Sequence, residues 1–346
     1  MRDLLPIVDQ SLALLRKTLP ILVVIVPFVI LYILYPTSYE LMWKGRTFYL
    51  FFLWLVFLET IINWDRIGRI MISGVRTKRT IAFIVALALP IVYIIFANFF
   101  GLNAAIMDLA RSYNVVPDFV QFVPLATEYL VLTGLFGLIF ALYYGTHQSA
   151  NFAISMIFLG VIGAVYMIDT LYPYGRFTPF QIFVPTTTQL SASVLNIMGY
   201  KTSIIFEPIL NEGILPVLRV QDIYGHTATH AVAWVCSGVE SLIIFSVTIP
   251  LFFKNSGIQW KHRIVYFIFG AAVTYFINAL RIATIFILDL NGGDWNTFHN
   301  LYGMLYSMAW IMSYPLLIIG SRALWGRIMK RENNLNLGPP SPELTS

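Results

Sequence analysis

Three side chains in the C-terminal third of the chain have the types needed for acyl chemistry: Cys236, Arg281 and His299. A thiolate is a strong nucleophile near neutral pH, an imidazole moves protons, and a guanidinium is a permanent cation that holds an anion. Cys236, the only cysteine, opens the apolar run CSGVESLIIFSVTIPLFF. A helix N-terminus at that point lowers a thiol pKa, and the amides of Ser237 and Gly238 lie where an oxyanion hole needs donors. Arg281 sits in YFINALRIATIFILDL, about seven residues from its end and so ~10 Å deep at ~1.5 Å per residue. A charge inside hydrocarbon costs ~2.5–3.5 kcal/mol on insertion scales and marks a functional group unless it snorkels or ties helices together. His299, in WNTFHNLYGMLYSMAWIM, begins the next apolar run. Singly, each has a bland reading as a small core thiol, a snorkelling cation or an interfacial ring. Their shared side of three consecutive apolar runs joins them into one candidate site.

Four neighbours are supporting candidates: Ser237, Gly238, Glu240 and Asn278. Glu240 falls one helical turn after Cys236. A buried carboxylate beside a thiol would raise the thiol pKa, so pairing of Glu240 with Arg281 is the expectation. His226 and His230 form an H-x3-H pair but lack the glutamate of H-E-x-x-H and a third ligand, and no C-x2-C pair exists. No metal and no other cofactor is predicted. His147 and His262 fall on the opposite side, and phosphate loops and G-x-S-x-G elbows are absent.

The elements that must position these residues are membrane helices. The 346 residues are 58% hydrophobic, 16% aromatic and only 11% charged, which excludes a soluble enzyme. Apolar runs predict eight crossings, at 18–36, 47–63, 80–100, 129–146, 152–172, 236–253, 264–288 and 300–321. The first run is longer than a signal-peptide core and no small-residue cleavage site follows it, so it reads as an anchor. An internal N-terminus puts 15 of the 22 Lys and Arg on the cytoplasmic side, 6 outside and Arg281 within a span. That bias predicts a multi-pass protein of the cell membrane with both termini cytoplasmic and the candidate site facing outward. It also explains the net charge of +5 by topology, so no nucleic-acid partner is predicted.

The predicted fold class is therefore an all-α polytopic membrane protein of about eight transmembrane helices with a small external helix and β-hairpin. Residues 1–172 form a five-span region, 173–235 an external loop, 236–325 a three-span catalytic region and 326–346 a disordered cytoplasmic tail. Within the loop, IFVPTTTQLSASVLNIMGY reads as an interfacial or re-entrant helix, and SIIFEPIL–NEG–ILPVLRV as a hairpin.

The motifs CSGVESL, NALRI and H-x3-G (His299 to Gly303), in this order and on one side of three spans, resemble those of the exosortase and archaeosortase family of membrane cysteine transpeptidases. The resemblance runs from about Val232 to Tyr314; earlier spans are similar only in hydropathy. The absence of a fused polymer-assembly domain favours an archaeosortase-like enzyme. The resemblance implies Cys236 as nucleophile, Arg281 as catalytic arginine and His299 as the proton shuttle at a third position that the family fills with His or Arg. Glu240 has no counterpart in the motif. It further implies surface-protein substrates with a C-terminal motif, a transmembrane helix and a basic tail, and a membrane-lipid amine as acceptor, water being the alternative. Two rival classes are a small transporter or channel whose Arg281 binds an anion, and a metal-dependent protease built on His226 and His230.

Orientation has a direct test. On a Cys236→Ser background, an impermeant thiol reagent labels a cysteine placed at Glu212 in intact cells and not one at Lys78; the reverse pattern overturns the orientation.

Overall fold

A computed structural model of the chain describes residues 18, 22–41, 43–64, 77–173, 176–209, 213–254, 256–303 and 305–336. The basic clusters before residue 18 and within 65–76 lie outside them. Among the described residues, five helices are long and apolar enough to cross a membrane: Ile81–Phe99, Pro117–Tyr144, Ala150–Leu171, Trp260–Leu290 and Trp295–Ile328. Leu22–Leu34, Phe48–Ile62 and Val239–Phe253 are apolar but shorter. The protein is thus helical and built for a bilayer.

The N-terminal half comprises α1 (Leu22–Leu34), α2 (Phe48–Ile62), α3 (Thr77–Phe99), α4 (Leu102–Ser112), α5 (Val123–Tyr144) and α6 (Ala153–Leu171). Helical spacing selects its core. Val24, Phe28 and Leu31 put one face of α1 inward, and Phe48, Phe52, Leu55, Val56 and Glu59 do the same for α2. Rings fill the space between: Phe28 stacks on Tyr49 at 4.3 Å and Tyr49 on Tyr129 at 4.3 Å. Buried Glu59 accepts hydrogen bonds from the Ile154 and Ser155 amides at 2.8 and 3.1 Å. A carboxylate at those positions satisfies two of the donors that the start of α6 leaves open.

The segment between α1 and α2 is pinned by two buried ion pairs. Arg46 donates through Nε and Nη2 to the two Glu128 oxygens at 2.8 and 2.7 Å, and the Tyr49 hydroxyl donates to the same carboxylate at 2.8 Å. Lys44 meets Asp169 at 2.8 Å beneath the rings of Phe119 and Phe122. Burial pulls the Lys44 ammonium below its ordinary pKa, against the opposing pull of Asp169.

The C-terminal half holds α7 (Val184–Ile197), β1 (Lys201–Ile209), β2 (Gly213–Gln221), β3 (Thr227–Ala231), α8 (Val239–Lys254), α9 (Trp260–Leu290) and α10 (Leu305–Asn336). The strands form an antiparallel sheet in the order β1-β2-β3, with Ile205 opposite Val217 and Val217 opposite Ala231. The expected hairpin is there, and a third strand corrects it: TATHA is short, but its alternate residue Ala228 enters the apolar cluster with Leu218 and Val220. The expected helix of the 173–235 loop is α7, and it packs on α9. Its buried stripe runs Val184, Thr187, Thr188, Ser191, Ala192 and Leu195 while Ile197 stays exposed, so four small side chains between two apolar ends let the two backbones approach.

The chain end needs a second correction. Helix α10 continues to Asn336, so much of the expected 326–346 tail is helical. GRIMKRENNLN contains no proline, and from Arg327 to Glu332 it offers mostly good helix formers, so nothing stops propagation over that stretch. Residues 337–346 lie outside the described residues.

Breaking one ion pair leaves a buried charge without its partner, which costs about 3–5 kcal/mol. Arg46→Ala therefore lowers the Tm of the detergent-solubilised protein markedly, whereas the double replacement Arg46→Met with Glu128→Leu recovers most of it. Equal melting of Arg46→Ala and parent protein refutes a structural role for this pair.

Candidate active site

The site grows from a short turn that links β3 to α8. Trp234–Cys236 forms one 3-10 turn, anchored by the fully buried Trp234 against Phe180 with ring centroids 5.0 Å apart. The Cys236 amide donates to Ala233 O at 2.9 Å, and the Ser237 amide donates to Trp234 O at 3.0 Å. Cys236 therefore precedes α8 rather than opening it. The Ser237 amide, engaged in the turn, does not supply the open oxyanion donor expected from the sequence. The Ser237 hydroxyl also donates to Trp234 O, at 2.7 Å, and so holds the turn closed.

Both carbonyls after the thiol are tied down from neighbouring helices. Asn278 of α9 donates through Nδ2 to Cys236 O at 2.9 Å, and the Thr187 hydroxyl of α7 lies 2.9 Å from Ser237 O. Thr187 is also 2.7 Å from the Tyr275 hydroxyl. Asn278 was legible from NALRI; Thr187 and Tyr275 were not, since a threonine in TTTQ and a tyrosine in an aromatic-rich span carry no distinguishing pattern. Gly238 turns the chain into α8 with φ +82°, and a Cβ there would stand 2.6 Å from Asn278 Cγ. Only glycine fits this corner, for both backbone and packing reasons.

The three candidate residues converge. Cys236 Sγ lies 3.8 Å from His299 Nε2, and His299 Nδ1 lies 3.4 Å from Arg281 Nη2. Thiol, imidazole and guanidinium form one chain across three separate elements. His299 sits in a π-helical turn, Phe298–Tyr302, where the Gly303 amide donates back to Phe298 O at 2.7 Å. Such wide turns displace a side chain from the regular helix face. The Asp294 carboxylate caps the preceding turn by accepting from the Thr297 amide at 2.9 Å, and the hydrogen bonds from Thr297 hold its carboxyl below the usual range. Arg281 is 6% exposed and reaches the ring across Gly303, whose Cβ, if present, would stand 2.5 Å from Arg281 Nε.

This order fixes the proton on the imidazole. A guanidinium only donates, so Nδ1 facing Arg281 must accept, and the ring proton resides on Nε2 beside the sulfur. A donor aimed at sulfur favours the thiolate. In this tautomer His299 is an electrostatic partner of the thiolate; the proton-shuttle role that the resemblance implies calls for the other tautomer.

Glu240 departs from expectation as well. It is buried beside the turn, and neither carboxylate oxygen has a hydrogen-bond partner among the described residues; the same holds for Arg281 Nε and Asn278 Oδ1. The expected Glu240–Arg281 contact is one of electrostatic range, without a hydrogen bond.

His226 and His230 turn to different carboxylates. His226 Nδ1 pairs with Asp222 at 2.7 Å, and His230 Nε2 pairs with Asp289 at 2.8 Å while its ring packs on Trp295. No group of three His, Cys, Asp or Glu side chains among the described residues is arranged to hold a metal ion. A cavity of about 390 Å3 adjoins Arg281, walled by Val194, Met198, Leu280, Thr284 and Tyr306.

Substituting Gly303 tests this packing, because its backbone is ordinary helix and a Cβ there would stand 2.5 Å from Arg281 Nε and 2.9 Å from His299 O. Gly303→Ala pushes Arg281 from His299 and slows alkylation of Cys236 by iodoacetamide at neutral pH about tenfold, the effect of losing ~1.4 kcal/mol of thiolate stabilisation. An unchanged rate in a folded protein disconnects Arg281 from the thiol.

No family model, no curated protein and no solved structure matches this chain, so the geometry carries the functional reading without the support of a relative.

Proposed function

We propose that the protein is a membrane cysteine transpeptidase that cleaves a C-terminal sorting signal from surface proteins and transfers them to an amine-bearing membrane lipid. The observation that supports this most is the continuous contact of Cys236 Sγ, His299 and Arg281, contributed by the β3–α8 turn, the π-helical turn and α9. The resemblance of CSGVESL, NALRI and H-x3-G to exosortases and archaeosortases supplies the substrate class. In this reading the three shorter apolar helices complete eight crossings, both termini are cytoplasmic, and the site faces outward across the cell membrane.

The chemistry follows from the arrangement. Thiolate Cys236 attacks the scissile carbonyl, forming a C–S bond, and the negative charge moves to oxygen, where Arg281 is the nearest full positive charge. The intermediate collapses by breaking the C–N bond. The released amine leaves with a proton from the site, and a thioester remains on Cys236. A lipid amine then attacks the thioester, the C–S bond breaks, the proton of the incoming amine returns to the site, and the thiolate is restored. The cavity beside Arg281, lined mostly by apolar residues, suits a lipid acceptor. A transporter reading explains Arg281 alone and gives no role to the contact between sulfur and imidazole.

The test is a membrane-release and gel-shift assay on a substrate carrying an intact C-terminal signal, at matched enzyme levels. Cys236→Ala lowers processing by more than about 1,000-fold, and Cys236→Ser is nearly as poor because a hydroxyl ionises far less readily. Arg281→Lys keeps the charge but loses the planar fork and recovers little. His299→Arg retains partial activity, since it still presents a donor to sulfur; His299→Ala does not. Parent-like processing by Cys236→Ala removes the nucleophile and leaves the transporter as the better reading.

A further inference from the structure

The thiol proton has to reside somewhere when Cys236 is ionised, and the imidazole facing it already carries a proton on that side. The buried acid next to the site is Glu240, 1% exposed in the first turn of α8 and without a hydrogen-bond partner among the described residues. Its surroundings contain one uncompensated cation. From α9 it faces Arg281; from α6 it faces Tyr166 and Asp169, and Asp169 is already neutralised by Lys44 at 2.8 Å. From α10 the buried titratable group is Tyr314, whose hydroxyl donates to Tyr266 O. On the preceding turn stands Cys236, and His299, accepting from Arg281, is neutral. Arg281 interacts electrostatically with both Cys236 and Glu240 and is hydrogen-bonded to neither through its buried Nε.

Two anions against one buried cation leave a net negative charge in a region with little water, which is strongly disfavoured; one anion leaves the region neutral. We propose that Glu240 and Cys236 share a single negative charge opposite Arg281, so that the thiol ionises as the Glu240 carboxylate takes up a proton. The exchange is balanced: thiol plus carboxylate becomes thiolate plus carboxylic acid, with Arg281 charged throughout. Glu240 is thus a positioning residue that acts on the nucleophile through the guanidinium: where it is ionised it restrains the thiol, and where it is protonated it leaves the guanidinium to the thiolate.

The proposal deepens the transpeptidase reading, but its test reads the thiol itself and needs no substrate. Iodoacetamide alkylation of Cys236 is measured across pH in the purified full-length protein. Removing the competing anion in Glu240→Gln moves the midpoint of alkylation to lower pH, with a rate about tenfold higher below the parent midpoint, while Glu240→Asp, which keeps the charge, stays close to the parent. An unmoved midpoint in Glu240→Gln, or an equal displacement in Glu240→Asp, overturns the proposal. Where Glu240→Gln does not yield folded protein, infrared spectra of the parent and Cys236→Ser decide. The parent-minus-Cys236→Ser difference spectrum shows a protonated-carboxyl band at pH values where Cys236 alkylates; a difference spectrum without that band overturns the proposal. Charge sharing with no substrate processing would discard the transpeptidase reading and leave this inference standing.

Discussion

A guanidinium enclosed by helices dominates the C-terminal half. Arg281 cannot lose its proton, and it is almost completely removed from solvent, so everything around it has to make room for a permanent charge. Gly303 is small because the side chain passes there, and the π-helical turn brings His299 back to meet it. The nucleophile turn is held by donors from α7 and α9 instead of by its own helix. Thiol, imidazole and carboxylate are intelligible as answers to one question, which is what faces the cation.

The two halves use different materials. In the N-terminal half, stacked rings and apolar helix faces fill the space, with two ion pairs that satisfy both partners. Around the site, buried polar atoms of Trp234, Glu240, Asn278 and Arg281 have no partner among the described residues, whereas in the N-terminal half only the Tyr93 and Tyr144 hydroxyls are so placed. Unsatisfied groups in a packed region are a cost that stability alone does not explain.

What the sequence reveals follows the same division. Cys236, Arg281 and His299 were legible because a lone thiol, a buried cation and a terminal imidazole are conspicuous against apolar runs, and helix order alone sufficed to bring them to one side. Glycines were half legible: H-x3-G named Gly303, but only the packing explains it. Thr187 was hidden because its partner, the carbonyl of Ser237, is a backbone atom that every residue possesses. The imidazole tautomer depends on which ring nitrogen meets Arg281, a matter of side-chain rotation that no spacing encodes. β3 could not be told from a loop in the sequence, because five residues with one fully inward side chain barely alternate.

The cations that fasten the segment between α1 and α2 have a history as well as a position. Lys44 and Arg46 are made long before the acids that receive them, since Glu128 follows Arg46 by 82 residues and Asp169 comes later still. At about 5–20 residues per second, the ribosome leaves both charges unpartnered for roughly 4–25 s. During that interval the segment between α1 and α2 carries two cations that burial would leave unpaired, so it has to stay within reach of water until α5 and α6 supply Glu128 and Asp169. Docking of those helices then buries the charges, so the two ion pairs act as a latch that closes only once α5 and α6 have been made and packed.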